Sequence, residues 1–199
     1  MPRRTDPKNL ERVLDAAAEL FLADGYDAAT MQQLADKLGL HKSSLYHYVD
    51  GKEDLLEQLT SQAQADAEEA LAAAEKDPDI EHGFLGALGL AVDQTLRDGG
   101  RVSLVLRQKG GTRTGAAVVE RRRAYDRRLS ALIEEGQQAG QIRDDIHPML
   151  LARLTMGMVS WLIEWYDAER SRFEPDVVRD AILALVTSGV VTKAPTPRP

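Results

Sequence analysis

The stretch Thr30–Leu56, TMQQLADKLGLHKSSLYHYVDGKEDLL, decides how this chain is read. Thr30 stands ahead of a helix with Gln33 three residues later, the spacing of a capping box, so a helix is predicted to start there. Met31, Leu34, Ala35 and Leu38 then recur at i, i+3, i+4 and i+7, which gives one apolar stripe. Gly39 stops the helix, because glycine accepts the left-handed conformation that a helix C-terminus prefers. A second short helix opens near His41 or Lys42, with only Leu45 and Val49 as an apolar pair. Its remaining face is Lys42, Ser43, Ser44, Tyr46, His47 and Tyr48. A helix with so little apolar surface gains little from burial, and contact with base edges and phosphates supplies another reason to hold it rigidly. Asp50 and Glu53 repeat the capping-box spacing. They predict a third helix from about Gly51, with Lys52 in its first turn, where a helix N-terminus also attracts phosphate.

These residues resemble the helix-turn-helix of TetR-family transcriptional regulators. The likeness rests on the Thr-led helix, the glycine turn, the aromatic-rich LYHYV and the GKEDLL that follows, near the N-terminus behind one preceding helix. The resemblance implies that the second helix enters the major groove, with Tyr46 on one phosphate and Lys52 on another. It also implies that Lys42, Ser43 and Ser44 make base or nearby backbone contacts with His47 and Tyr48 beside them, and that Thr30 caps its helix and touches the DNA backbone. His41 departs from the pattern, since a small hydroxyl residue more often caps the recognition helix there. A weaker or differently made cap is expected, with the imidazole left to face DNA.

Two other readings stand beside this one. Short amphipathic helices joined by glycine occur in many bundles, where tyrosines are partly buried packing residues with satisfied polar tips. A helical protein-interaction module with a head that does not bind DNA is therefore the alternative, although such a head has little reason to display Lys42, Tyr46 and Lys52 together. An enzyme finds no support: there is no glycine-rich phosphate loop, nucleophile elbow or His-Glu-x-x-His pattern.

The net charge of −7 would repel a polyanion if it were spread evenly, so local charge has to carry any affinity for nucleic acid. Arg3, Arg4, Lys8 and Arg12 oppose Asp6 and Glu11 in the N-terminal arm, and Lys37, Lys42 and Lys52 oppose Asp36 and Asp50 in the motif. Such modest excesses predict a salt-sensitive affinity that depends on dimerisation. The arm either reaches phosphates or the adjacent minor groove, or is a free tail. With no cysteine, and with His41, His47, His82 and His147 scattered without ligand spacing, no metal site and no cofactor are expected. The absence of an apolar leader and of any 18-residue apolar run predicts a cytoplasmic protein without a membrane span.

The rest of the chain reads as all-α. Asp6-Pro7 starts a first helix with a stripe of Leu10, Val13, Leu14, Ala17, Leu20 and Phe21, closed by Gly25. A three-helix head follows, its core drawn from Phe21, Leu34, Leu38, Leu45 and Val49. A long alanine-rich helix runs from Lys52 to about Glu75, and further helices are predicted at roughly 80–98, 101–109, 115–139, 147–168 and 175–192, separated by glycines and prolines. The domain reading is a helix-turn-helix DNA-binding domain at 1–52, a helical effector-binding and dimerisation domain at 53–192, and a flexible tail at 193–199.

The last two long helices carry more apolar residues than one core needs. Leu150, Leu151, Leu154, Met158, Trp161, Leu162 and Trp165 share the first with Met156, Val159 and Ile163, and Val177, Val178, Ile182, Leu185 and Val186 lie in the second. The family resemblance implies that these helices pair with their copies in a four-helix bundle, and two symmetric heads would suit a palindromic operator in double-stranded DNA. GMVSWLIEWYDAE resembles the branch that includes regulators of fatty-acid and steroid breakdown, which implies a small-molecule effector such as an acyl-CoA or another apolar ligand. Tyr125, Met158, Trp161 and Trp165 are the candidate lining of such a site, or else simple packing residues. Arg121, Arg122, Arg123, Arg127 and Arg128 form either an anion site or a solvated face neutralised by nearby carboxylates.

Overall fold

The computed structural model describes residues 7–189. Among them are eight helices and no strand: α1 (Pro7–Asp24), α2 (Met31–Leu38), α3 (Lys42–Leu45), α4 (Lys52–Ala74), α5 (Ile80–Arg107), α6 (Arg113–Gln138), α7 (Pro148–Trp165) and α8 (Pro175–Ser188). The all-α expectation is met. The expected separation of 80–98 from 101–109 is present within α5, which is two helices joined across a kink at Asp98, the one residue of α5 with non-helical angles (φ −141°, ψ 52°). No described helix is long and apolar enough to cross a membrane.

The chain forms two compact units, one of Met1–Glu68 with Asp98–Tyr125, the other of Glu69–Arg97 with Asp126–Pro199. The first therefore takes in more than the expected head of residues 1–52. The reason is packing: Leu55, Leu56 and Leu59 of α4 and Leu104 of α5 are buried in the same cluster as Val13, Ala17 and Phe21 of α1, Leu34 and Ala35 of α2, and Leu45 and Val49. A head made of α1–α3 alone would expose these leucines, at about 1.5–3 kcal/mol for each. Leu38, expected in the core, is only partly buried against it. Arg101 ties α5 to α1 by hydrogen bonding Glu11 and, at 3.2 Å, Asp15. Asp6, Arg3 and Arg4 lie outside the described residues, as does the tail.

In the second unit Leu88 and Val92 of α5, Val159 and Leu162 of α7, and Val178 and Ile182 of α8 make a second apolar cluster. Pro148 and Pro175 stand at the first helical positions of α7 and α8, and the His147 ring accepts the Met149 N–H at 3.2 Å as a cap. At residue 136 a Cβ would come within 2.7 Å of the Ile142 side chain, which would have to shift to admit it. Nearby, the Gln141 side chain accepts the Ile80 N–H at 2.9 Å.

Candidate nucleic-acid interface

Each end of α2 is fixed by its own residues. The Thr30 hydroxyl accepts the Gln33 N–H at 3.2 Å, and the Gln33 side-chain oxygen accepts the Thr30 N–H at 2.8 Å, so the predicted capping box is formed. The hydroxyl's proton goes to the same Gln33 oxygen at 2.7 Å, and the Gln33 amide group reaches Asp24 at 3.2 Å. Thr30 is thus engaged in the cap. Gly39 is left-handed (φ 67°, ψ 29°), and the Leu40 N–H returns to the Ala35 carbonyl at 2.9 Å, the close of a helix that turns sharply.

The turn leads into α3, a single helical turn followed by tighter turns at Tyr46–Tyr48. His41 is its N-cap with extended backbone, but the imidazole makes no capping hydrogen bond, as its departure from the family pattern led us to expect. The helix is held instead by two buried anchors, Leu45 at 0% and Val49 at 1% exposure. The remaining face points outward: His41, Lys42, Ser43, Tyr46 and His47 are exposed, with Ser44 and Tyr48 half-buried. Tyr48 packs against the core, whereas Tyr46 is 39% exposed. The structure therefore gathers Lys42, Ser43, Tyr46 and His47 on one rigidly based, donor-rich surface. Lys37 is drawn off by Glu19 of α1 at 2.8 Å and adds little to it.

The start of α4 differs from the sequence reading. The Asp50 N–H is accepted by Asp54 at 2.8 Å, and Glu53, the expected box partner, accepts the Thr114 N–H of α6 at 2.9 Å. Lys52 was expected to reach a phosphate. Its ammonium instead donates to the carbonyls of Tyr26 (2.7 Å), Asp27 (3.1 Å) and Ala29 (3.0 Å) and lies 4.5 Å above the Tyr26 ring. That ring packs edge-on to buried Phe21, with centroids 5.2 Å apart. Burial, with the charges of Glu53 and Asp27, raises the Tyr26 phenol above its ordinary range, so it stays neutral under the cation. Asp50, Glu53, Asp54 and Glu57 line an open cleft of about 710 Å³ beside Lys52, with Arg113 as the other cation, so the cleft does not suit an anion. Sequence reading overlooked Tyr26; an aromatic residue directly after the helix-ending Gly25 was the available signal.

The other candidates scatter. Tyr125 is half-buried on α6 in the first unit, while Met158, Trp161 and Trp165 lie on α7 in the second. Trp161 is 64% and Trp165 48% exposed, in an outward row with Leu150 and Leu154, and Val159 and Leu162 take the inward face. The arginines are engaged: Arg121 with Glu57 (3.2 Å), Arg122 with the Leu106 carbonyl (2.7 Å), Arg123 with Glu120 (3.8 Å), and Arg128 with both oxygens of Glu75 (2.8 and 2.7 Å). Arg127 also has a partner. This arrangement matches the neutralised face rather than an open anion site.

Residues 13–59 match the family described as bacterial regulatory proteins, tetR family, and residues 87–190 match the tetracyclin repressor-like C-terminal domain. A solved member of the TetR transcriptional regulator family from Streptomyces coelicolor A3 is 32% identical, with a TM-score of 0.82 and 90% of each chain covered. The fatty acid metabolism regulator protein of Bacillus subtilis (strain 168) is 24% identical over 94% of this chain and 97% of its own length. AibR, solved in complex with isovaleryl coenzyme A and operator DNA, shares the fold at 23% identity, with a TM-score of 0.74 over 89% of this chain and 97% of its own.

Proposed function

This chain belongs to the tetR family of bacterial regulatory proteins, and from that premise we propose that it acts as a homodimeric, ligand-responsive repressor bound to a palindromic operator. Proteins of this family are DNA-binding transcription regulators and not enzymes. The observation that carries the proposal is the pairing of buried Leu45 and Val49 with exposed Lys42, Ser43, Tyr46 and His47, which holds a polar face rigid without covering it. Lys42, Ser43 and Ser44 read base edges or the adjoining backbone, Tyr46 donates to a phosphate, and His47 and Tyr48 flank them. Thr30 positions this face through its cap.

The outward row Leu150, Leu154, Trp161 and Trp165 on α7, with Val177 and Leu185 on α8, supports dimerisation through these helices. Two heads then meet half-sites ~34–36 Å apart. The likeness to the Bacillus fatty acid regulator, and to a protein solved with isovaleryl coenzyme A, supports an acyl-CoA or another apolar molecule as effector. The effector releases DNA only by binding better to a state in which the two recognition faces lose that spacing. Residues 53–192 supply the effector and dimer surfaces in this reading.

Sequencing the fragments that the purified protein selects from a random DNA pool tests the proposal. A palindrome with half-sites one helical turn apart is expected, and a pool that remains random would overturn it. Calorimetry with acyl-CoAs of several chain lengths tests the effector, and no heat from any of them would remove the acyl-CoA class.

A further inference from the structure

We infer that Arg12 is a further DNA-backbone ligand of the recognition head, an α1 cation that holds a phosphate beside the two ends of α3; this rests on the operator-binding reading above. The sequence groups Arg12 with the basic N-terminal arm, but the residue stands in the second turn of α1 and is exposed. With Asn9 and Val13 of α1 it lines a hollow of about 60 Å³, and Leu38, Leu40 and Tyr48 supply the rest of the wall. Leu40 directly precedes His41, the N-cap of α3, and Tyr48 follows Tyr46 and His47 at the other end. Arg12 therefore borders the donor-rich surface, and no residue lining the hollow carries a carboxylate.

On an acidic chain a cation serves a polyanion only where its own carboxylates leave it unneutralised. The nearest along α1 are Glu11 and, at the i+3 position, Asp15, and both accept hydrogen bonds from Arg101 of α5, Asp15 at 3.2 Å. Among the described residues Arg12 has neither a hydrogen bond nor an ion pair. Lys37 of α2 is taken by Glu19 at 2.8 Å, whereas Arg12 keeps its five guanidinium donors for a partner. Their planar fork suits two phosphate oxygens at once. Such a contact carries no base information; it fixes the register of α3 and adds affinity for any duplex.

The test is salt-dependent binding of the full-length protein to its selected operator and to unrelated duplex DNA, for wild type, Arg12→Gln and Arg172→Gln. Glutamine keeps the helix propensity of arginine and removes the charge. Arg172, exposed between α7 and α8 in the second unit, makes the same change in net charge outside the head. The expected result for Arg12→Gln is binding about tenfold weaker to operator and unrelated DNA alike, the worth of a hydrogen-bonded charge. The slope of log K against log salt should shrink by about 0.9 for each arginine removed, or about 1.8 for a dimer, and Arg172→Gln should match wild type. An unchanged slope in Arg12→Gln would overturn the inference. So would an equal fall in Arg172→Gln, since net charge alone would then account for the effect. A loss confined to the operator would make Arg12 a reader of bases, which also overturns it. Should Arg12→Gln fail to fold, Arg12→Met removes the same charge on an unbranched stem and is read in the same way. If wild type binds neither DNA, the functional reading fails and this inference falls with it, a result distinct from a wild type that binds and an Arg12→Gln protein that keeps its slope.

Discussion

Glu53, in the first turn of α4, accepts the backbone N–H of Thr114 in the first turn of α6 at 2.9 Å, so the helix behind the recognition turn caps another helix 61 residues further along the chain. Thr112 adds a second cap by accepting the Gly115 N–H at 3.0 Å. Glu53→Ala leaves the partly buried Thr114 amide without its acceptor. A loss of about 1 kcal/mol is expected, as for other N-terminal caps, read as a lower urea midpoint at constant m-value. An unchanged midpoint would mean that water replaces the carboxylate at no cost.

Tyr46 stands clear of the core at 39% exposure, so its removal should cost binding and not folding. Tyr46→Phe, which deletes only the hydroxyl, is expected to weaken operator binding about tenfold, the worth of one hydrogen bond to a charged oxygen. Helix content and dimer mass should stay as in wild type. Equal affinity in a gel-shift titration would remove Tyr46 from the interface.

The 64% exposed indole of Trp161, in a row with Leu150, Leu154 and Trp165, is the anchor expected at the centre of a self-pairing surface. Trp161→Glu should weaken the dimer by about 2 kcal/mol or more, roughly 30-fold in dissociation constant. Analytical ultracentrifugation reads the shift to monomer, while circular dichroism stays unchanged because the side chain is not part of the apolar cluster on the inward face of α7. A variant that remains dimeric at micromolar concentration would place the interface elsewhere.

His82 and Asp77 form an exposed pair with Nδ1 and Oδ2 2.7 Å apart. The hydrogen bond to Asp77, then the charge of that carboxylate, raises the imidazole above its ordinary range; the bond from His82, then that from the Asp79 N–H, lowers Asp77 below its own. The His82 contribution to stability is therefore complete below about pH 6.5 and lost as pH rises through the raised folded value. The Asp77 contribution is complete above about pH 3.9 and lost as pH falls through its lowered folded value. The pair acts between these two limits. NMR titration should place the His82 midpoint above about 6.5, and Asp77→Asn should return it to the ordinary range. A midpoint unmoved by that substitution would show that the contact is not populated in solution.

Much of the DNA-reading head was legible because its determinants are local. The box of Thr30 and Gln33, the left-handed Gly39, the stripe of α1 and the outward polar face of α3 each depend on residues within a turn or two of one another. The missing side-chain cap at His41 was legible from the departure of that position from the family pattern. The break near Gly99-Gly100 was legible too, since two glycines weaken a helix locally, and the structure puts the non-helical residue at Asp98. The cluster around Arg121 and Arg128 read as either an anion site or a neutralised solvated face, because a one-dimensional sequence hides their acceptors, Glu57 and Glu75, on another helix.

What the sequence by itself determined is therefore the all-α fold, the helix-turn-helix with its ends, and the residues its second helix displays, since helical period and capping act over three or four positions. Only the tertiary structure decided which donors remain available. Lys52 and Ala29 are 23 residues apart and Glu53 and Thr114 are 61 apart, yet packing brings each pair within 3.0 Å. Packing likewise turned Val159 and Leu162 of α7 inward and left Trp161 outside, although the periodicity of α7 permits either side. The physical reason is common to these cases: periodicity and capping fix a helix and its faces, but the partner of a charge or an apolar stripe is fixed only when distant segments pack.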